Sequence, residues 1–318
     1  MTAKDRYRLL CESEPSIPLF SQAWWLDSLV GEDSWDVSLV ERKGSIVASM
    51  PYVIRCRLGR VFLGHPPLTQ TLGPWIRETG AKQTTRLARQ KELMQQLIGS
   101  LPKFDHFHQN WHYTQTNWLP FYWAGFNQTT RYTYVIEPIS DLDAVWENFA
   151  SSYRNKVRKA QKTLSVRSDI TVEEFYRINM LTFQRQGIAE PYSLQLIKAH
   201  DLALSERNKR RILSAHDESG DIHSALYLVW DNITAYVHMV GEDPALRNSG
   251  AGILLIWEAI RYASEQLNVG RFDFEGSMIE GVERVRRNCG AVQVPYFSIS
   301  KTPSKLVRFT QCLRGLLR

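Results

Sequence analysis

Cysteine is scarce in this sequence. Cys11, Cys56, Cys289 and Cys312 are its four thiols in 318 residues, and no two stand at a spacing that would clasp zinc or frame a disulfide scaffold. A metal centre is therefore not expected, and this usage fits a reducing compartment, the cytoplasm. Long apolar runs are missing as well: nothing approaches the roughly 20 consecutive apolar residues of a bilayer-spanning helix. The opening MTAKDRYRLLCESEPS lacks the apolar centre of a signal peptide.

What is present is an ordinary globular composition, 43% hydrophobic and 23% charged, with a length that favours two domains over one. The 39 basic against 33 acidic residues give a net charge of +6. Such a mild excess suits an anionic ligand such as a nucleotide, a phosphate or an RNA end.

Along the chain, FSQAWWLDSLVG predicts a short helix, and WDVSLVE and GSIVASMPYVIRC alternate as strands. PPLTQTLGPW is a loop, and residues 84–100 place Leu87, Met94, Leu97 and Ile98 near helical spacing, with a strand expected at KFDHFHQ. EPISDLD at 137–143 carries a Pro, a Ser and helix-start acids, which sets the expected domain boundary between 138 and 139. Beyond it, SALYLVW and ITAYVHMV read as a hairpin turning on Asp231 and Asn232. A helix from Gly252 to Leu267 follows, with Ile253, Ile256, Trp257, Ile260, Ala263 and Leu267 on one stripe. The two halves share a pattern of helix, short Phe-Asp strand, polar connection and final strand, which points to an internal duplication.

The most informative motif follows ITAYVHMV. Arg247-Asn248-Ser249-Gly250-Ala251-Gly252 reads R-x-x-G-x-G and runs straight into the amphipathic helix. Such a loop aims backbone N–H groups and the positive end of a helix dipole at one point, where a phosphate can sit. A dinucleotide fingerprint needs G-x-G-x-x-G and a P-loop needs Gly-Lys-Ser/Thr, and neither is here. A plain tight connection between strand and helix has the same text.

The hairpin, the R-x-x-G-x-G loop, the helix after it and FDFEGS together resemble the coenzyme A-binding half of the GNAT N-acyltransferase superfamily. The text from SSYRNKVRKAQK through FDFEGSMIEGVERVRRNCGA is also similar to the branch of Fem-type peptidoglycan-bridge aminoacyltransferases, which carry two GNAT-like domains in tandem. The resemblance implies an α/β (α+β) fold with two tandem GNAT-like domains, each a mixed, largely antiparallel sheet flanked by helices. The first, residues 1–138, lacks the phosphate loop and would shape the acceptor cleft; the second, residues 139–318, would be the N-acyltransferase domain. It also implies acyl-CoA, such as acetyl-CoA, as donor and an amine as acceptor. Backbone from Val240 to Gly252 would hold pantetheine and pyrophosphate, with Arg247, Asn248, Gly250, Ala251 and Gly252 forming the phosphate loop.

Acyl transfer to an amine needs a base and a stabilised oxyanion. Asp273 and Glu275, two apart on the expected FDFEGS strand, would share one face, with Phe272 and Phe274 on the other. His238 and Glu242, near the end of the preceding strand, are rival bases. GNAT enzymes often hold a tyrosine acid at the position occupied here by Arg286, and Tyr296 on the last strand is the nearest substitute in sequence. Cys289 shares an apolar stripe with Val282 and Val285 and is expected in the core.

SSYRNKVRKAQK carries Arg154, Lys156, Arg158, Lys159 and Lys162, a density that could grip an anionic substrate. In Fem-type relatives the donor is aminoacyl-tRNA, so the resemblance makes tRNA an alternative donor; a solvated helix face has the same composition. In the tail, Leu306, Phe309, Leu313, Leu316 and Leu317 line up beside Lys305, Arg308, Arg314 and Arg318. Weak contact with an anionic membrane surface is one reading of it, and packing on its own domain or on a second copy is the favoured one.

Overall fold

The computed structural model describes residues 1–276 and 278–316, with only the backbone of Cys312 and of residues 314–316. The expectations for Leu317, Arg318 and the side chains of Cys312, Arg314 and Leu316 lie outside the described residues, as does Ser277 of the FDFEGS stretch. The chain divides into two units, Met1–Arg131 with the segment from Pro295 onward, and Tyr132–Val294. The last strand and helix thus group with the first part of the chain, whereas the sequence pattern placed them in the second domain.

In the first unit, α1 (Ala3–Ser13) starts on a capping box, Thr2 Oγ1 accepting from the Asp5 N–H while the Asp5 carboxylate accepts from the Thr2 N–H. After α2 (Ala23–Val30), β1 (Trp35–Arg42) and β2 (Ser45–Arg57) form an antiparallel pair, and β3 (Arg60–Gly64) and the short β4 (Trp75–Ile76) also pair with β2. The crossover α3 (Gln83–Gly99) then leads to β5 (His106–Asn110), which lies parallel to β3. Leu93, Met94 and Leu97 of α3 are buried with Phe107 and Met50, but Leu87, expected on the same stripe, is exposed. A five-residue helix α4 (Leu119–Trp123) packs Phe121 inward and precedes β6 (Asn127–Ile136).

The second unit begins with α5 (Leu142–Asn148) and the basic α6 (Ser151–Ala160), followed by β7 (Ser165–Arg167), α7 (Val172–Arg185) and α8 (Leu194–Glu206). β8 (Arg210–His216), β9 (Ile222–Trp230) and β10 (Thr234–Glu242) form an antiparallel meander. The β9–β10 turn holds three residues rather than two, because Asp231 Oδ1 accepts from the N–H groups of both Ile233 and Thr234. From β10 the chain enters α9 (Ala251–Glu265) and returns as β11 (Arg271–Asp273), parallel to β10 and antiparallel to the Val135–Ile136 end of β6. α10 (Glu280–Asn288) follows. β12 (Val292–Lys301) then pairs with β5 in the first unit over Ser298–Lys301 and leads to α11 (Lys305–Leu316).

Each unit therefore repeats one device, a helix crossing between two parallel strands, which is the duplication legible in the sequence. In the second unit, α9 buries Ala251, Leu254, Leu255, Ile256, Ala259, Ile260 and Ala263 against the sheet. Each large side chain among them contributes about 1.5–3 kcal/mol. Ile253 and Trp257, expected in the stripe, are only partly buried at its margin. On α11, Val307 is buried whereas Leu306, Phe309 and Leu313 are exposed, so these three do not pack on their own unit, one of the two packings favoured from sequence.

Candidate functional site

The site begins with a fault in a strand. The register between β9 and β10 shifts between Val237, opposite Leu228, and Met239, opposite Tyr227, leaving His238 as the extra residue of a β-bulge. On its other side β10 pairs with β11 only from Thr234 to Tyr236, so the two parallel strands part beyond that point. His238 points into this parting, and its Nδ1 lies 2.8 Å from Glu275 Oε1. Their side chains are only 1% and 10% exposed.

Glu275 gets there by leaving the strand. β11 ends at Asp273, and Glu275 and Gly276 take φ of +55° and +63°, so the two acids do not share a strand face as expected. The turn is held by Asp273 itself, whose Oδ1 accepts from the Glu275 N–H at 2.8 Å and from the Thr133 hydroxyl at 2.5 Å. Phe272 and Phe274 are both in the core, their ring centroids 5.3 Å apart. Burial pushes the Asp273 carboxyl up to about 6, the Thr133 and Glu275 hydrogen bonds opposing the shift. Burial raises the Glu275 carboxyl as well, opposed by His238 and Arg286.

A second layer stands behind His238 that the sequence did not single out. The rings of His200 and Tyr227 lie 5.9 and 6.2 Å from the His238 ring. Tyr227 donates to Asp201 Oδ1 at 2.6 Å, and Asp201 pairs with Arg210 at 2.9 Å. Burial, with a smaller contribution from His238, holds His200 well below the usual imidazole range. The only local signal was a His-Asp step on the buried side of α8, and nothing in the text tied it to His238.

The other end of β10 leads into the phosphate-type loop. Arg247–Ser249 make one tight helical turn, and Gly250 caps α9 at φ +81°. A Cβ at Gly250 would stand 3.2 Å from the Lys156 carbonyl oxygen, so α6 lies directly against the loop. A Cβ at Gly252 would meet Glu242 Oε1 at 3.4 Å. The partly buried Glu242 carboxyl is raised by desolvation and drawn back by Arg247, Arg185 and Lys156. Ala251 N–H donates to Ser249 Oγ.

The backbone of β10 between these two places is already engaged. Val240 C=O accepts from Asn179 Nδ2 at 2.8 Å, and Glu242 N–H donates to Thr182 Oγ1 at 2.9 Å. α7 sits close enough here that a Cβ at Gly241 would stand 2.5 Å from the Asn179 nitrogen.

Within α6, Arg154 serves structure: its guanidinium donates to the Glu147 and Phe149 carbonyls at 2.5 and 3.0 Å, closing the end of α5. Lys156 and Arg158 lie over the rings of Tyr153 and Trp146. Arg286 acts electrostatically on Asp273, Glu275 and Cys289 from the position where the resemblance would put a tyrosine acid. Tyr296 belongs to the first unit, where its hydroxyl accepts from Gln70 Nε2 at 2.8 Å. Cys289 is fully buried, and its thiol pKa is raised by that burial. Among the described residues no group of three or more His, Cys, Asp or Glu could hold a metal ion.

Residues 147–284 match the family model of the acetyltransferase (GNAT) domain. No curated protein matches the sequence. In fold, the chain is similar to FemX, with a TM-score of 0.67 at 12% identity over 93% of this chain and 96% of that one. L-PGS from Bacillus licheniformis aligns at 0.56 and 11% identity, over 98% and 96%. A tandem GNAT protein from the clavulanic acid biosynthesis pathway aligns at 0.51 and 10% identity, over 93% and 92%. Residues 147–284 thus match the acetyltransferase (GNAT) domain, and the whole chain is similar in fold to FemX and to a tandem GNAT protein.

Proposed function

We propose that the protein is an N-acyltransferase moving an acyl group from acyl-CoA to an amine acceptor by direct attack on the thioester. The observation that carries this reading is the buried His238–Glu275 pair, seated where β10 and β11 part. The amine nitrogen attacks the thioester carbonyl, the tetrahedral intermediate collapses with cleavage of the C–S bond, and coenzyme A leaves as the thiolate, which takes up the proton that the nitrogen has given to the base. Glu275 takes the ammonium proton directly or through His238, since burial raises its carboxyl and so makes it a stronger base than a free carboxylate. Asp273 holds the turn that presents Glu275 and is the second candidate for the base.

Arg247, Asn248, Gly250, Ala251 and Gly252 would receive the pyrophosphate on backbone N–H groups and the dipole of α9, with Val240 on the pantetheine path. Isothermal titration with acetyl-CoA and longer acyl-CoAs tests the donor. The expectation is binding by the native chain and loss of it in Gly250→Trp; absence of binding to any acyl-CoA overturns the assignment.

One observation favours a second donor. The Val240 carbonyl and the Glu242 N–H, which a pantetheine arm would use, are bonded to α7, and the basic α6 lies against Gly250. Both features suit a larger polyanionic carrier such as aminoacyl-tRNA, with the same attack on an ester carbonyl. Salt-dependent tRNA binding that disappears when Lys156, Arg158 and Lys159 are neutralised supports that donor; no binding at low salt removes it.

A further inference from the structure

The end of β12, the start of β6 and α11 enclose a polar cleft of about 510 Å³ that lies wholly within the first unit. Its wall holds two cations, Lys301 and Arg308, and four neutral polar side chains, Asn127, Ser300, Thr302 and Gln311; no carboxylate and no large apolar side chain lines it. Arg308 and Gln311 stand three apart on α11, hence on one face. Thr302 Oγ1 lies 2.8 Å and Gln311 Nε2 3.4 Å from His106 Nδ1, which ties the strand end to the helix. Lys301 Nζ donates to the Ala124 carbonyl at 2.6 Å, which leaves its other N–H donors for a ligand. Among the described residues neither Lys301 nor Arg308 forms an ion pair. α11 opens on Lys305 and has no acid in its first turn, so its dipole adds to the positive potential. Asp105 bonds the Ser304 hydroxyl just before α11, but it stands outside the wall and is held by Arg60 and the Val61 N–H.

We propose that this cleft binds a small polar molecule through a phosphate monoester. Two cations that line one space without an acid call for a doubly charged anion, and a phosphate monoester carries about 1.5 to 2 negative charges near neutrality. The guanidinium fork of Arg308 matches two of its oxygens, and Lys301 meets it as a point charge. A phosphodiester, in RNA or in a lipid, carries a single charge and would leave one cation uncompensated. The volume falls in the range of small-molecule sites and exceeds what a bare phosphate fills. The amides and hydroxyls of the wall suit a hydroxyl-bearing body, as in a phosphorylated sugar, and disfavour an apolar chain, which would strip them of water without bonding them. These residues belong to the first unit and the phosphate-type loop at Gly250 to the second. The inference does not depend on the acyl donor or on the base.

The test is isothermal titration of the full chain at low ionic strength with glucose 6-phosphate, inorganic phosphate, succinate, dimethyl phosphate and glucose. The expected result is saturable binding of glucose 6-phosphate, weaker binding of inorganic phosphate, and none of glucose or dimethyl phosphate. Affinity for the sugar phosphate should fall by about tenfold or more in Arg308→Ala and in Lys301→Met, each of which removes one charge-assisted contact. Arg308 is exposed, so its variant tests the site without the Ala124 bond that Lys301→Met also removes, and near-ultraviolet circular dichroism checks that both are folded. Arg247→Ala, in the phosphate-type loop, and Lys82→Ala, exposed at the start of α3, should leave binding unchanged. Absence of binding of both glucose 6-phosphate and inorganic phosphate overturns the proposal, as does equal affinity in Arg308→Ala and the native chain. So does loss of binding in Arg247→Ala, which would put the anion in the loop before α9. Tighter binding of succinate would make the ligand a dicarboxylate, and binding of dimethyl phosphate as tight as that of the monoester would make it a diester of RNA or lipid; either result also overturns it.

Discussion

His238 Nδ1 and Glu275 Oε1 are 2.8 Å apart although 37 residues separate them, and each reaches the other by breaking a strand. His238 is the extra residue of a bulge, and Glu275 sits at φ +55° just beyond the end of β11. A residue held in the left-handed region costs of order 1–3 kcal/mol, which the Asp273 turn and the pair itself offset. Glu275→Gln keeps a side-chain oxygen that can accept from the imidazole but removes the base. Turnover of an amine acceptor should drop about 10²–10⁴-fold with donor binding unchanged in titration. In the native protein kcat/KM should fall as pH is lowered through the raised Glu275 pKa. A variant that retains native turnover would move the base elsewhere.

Asp273 makes a prediction about stability rather than rate. It is 3% exposed, and its carboxyl is pushed up to about 6 by burial, above the value of about 3.9 in an unfolded chain. A raised folded pKa means that the native state holds the proton more tightly. Its contribution is therefore present at low pH and is lost as pH rises from about 4 through about 6. Asn at this position can still accept from Thr133 and from the Glu275 N–H through its amide oxygen, and it never ionises. Asp273→Asn should therefore gain stability at pH 8 relative to the native chain, by an amount on the order of 1–3 kcal/mol, and gain little at pH 4. Urea melts at the two pH values decide it, and equal differences at both would contradict the burial argument.

What the sequence made legible follows from how local each signal is. The R-x-x-G-x-G loop, the α9 helix and the duplicated strand and helix pattern depend on neighbours a few residues apart, and they stand in the fold where they were expected, although Ile253 and Trp257 lie at the margin of the buried face of α9. Glu275 was tied to Asp273 by strand alternation, but the side chain of Asp273 ends the strand by bonding the Glu275 N–H. Pairing it with His238 needed the bulge, and a single extra residue in β10 leaves no trace in a hydrophobic pattern. The return of β12 to pair with β5 was hidden for the same reason: its alternation fits either unit, and only the partner strand decides. Arg154 read as one more cation in a basic helix, because the carbonyls it closes lie in the preceding element.

That distinction within α6 can be measured. Arg154→Ala should cost about 1–2 kcal/mol in urea unfolding, since it strips the donor from carbonyls at the end of α5. Lys159 is exposed on the same helix and makes no ion pair among the described residues, so Lys159→Ala should change stability by less than about 0.5 kcal/mol. If α6 faces an anionic donor, Lys159→Ala should instead lower the salt dependence of donor binding. Equal stability losses in the two variants would show that Arg154 is not the closing residue.

Gly241 gives the sharpest test of how α7 meets β10. Its backbone is not in the left-handed region, so conformational freedom is not what requires glycine there; space is. A Cβ would stand 2.5 Å from the Asn179 nitrogen and 2.6 Å from its Cα, contacts with main-chain atoms that no side-chain rotation can relieve. Alanine would push α7 away and loosen the bonds from Asn179 to the Val240 carbonyl and from the Glu242 N–H to Thr182. Gly241→Ala should cost about 3 kcal/mol or more. Gly220→Ala, in an open turn with nothing within 4 Å but a φ of +88°, carries backbone strain alone and should cost about 1 kcal/mol. Thermal melts of both variants separate crowding from strain. If Gly241→Ala melts with the native protein, α7 does not approach β10 as closely as these distances require.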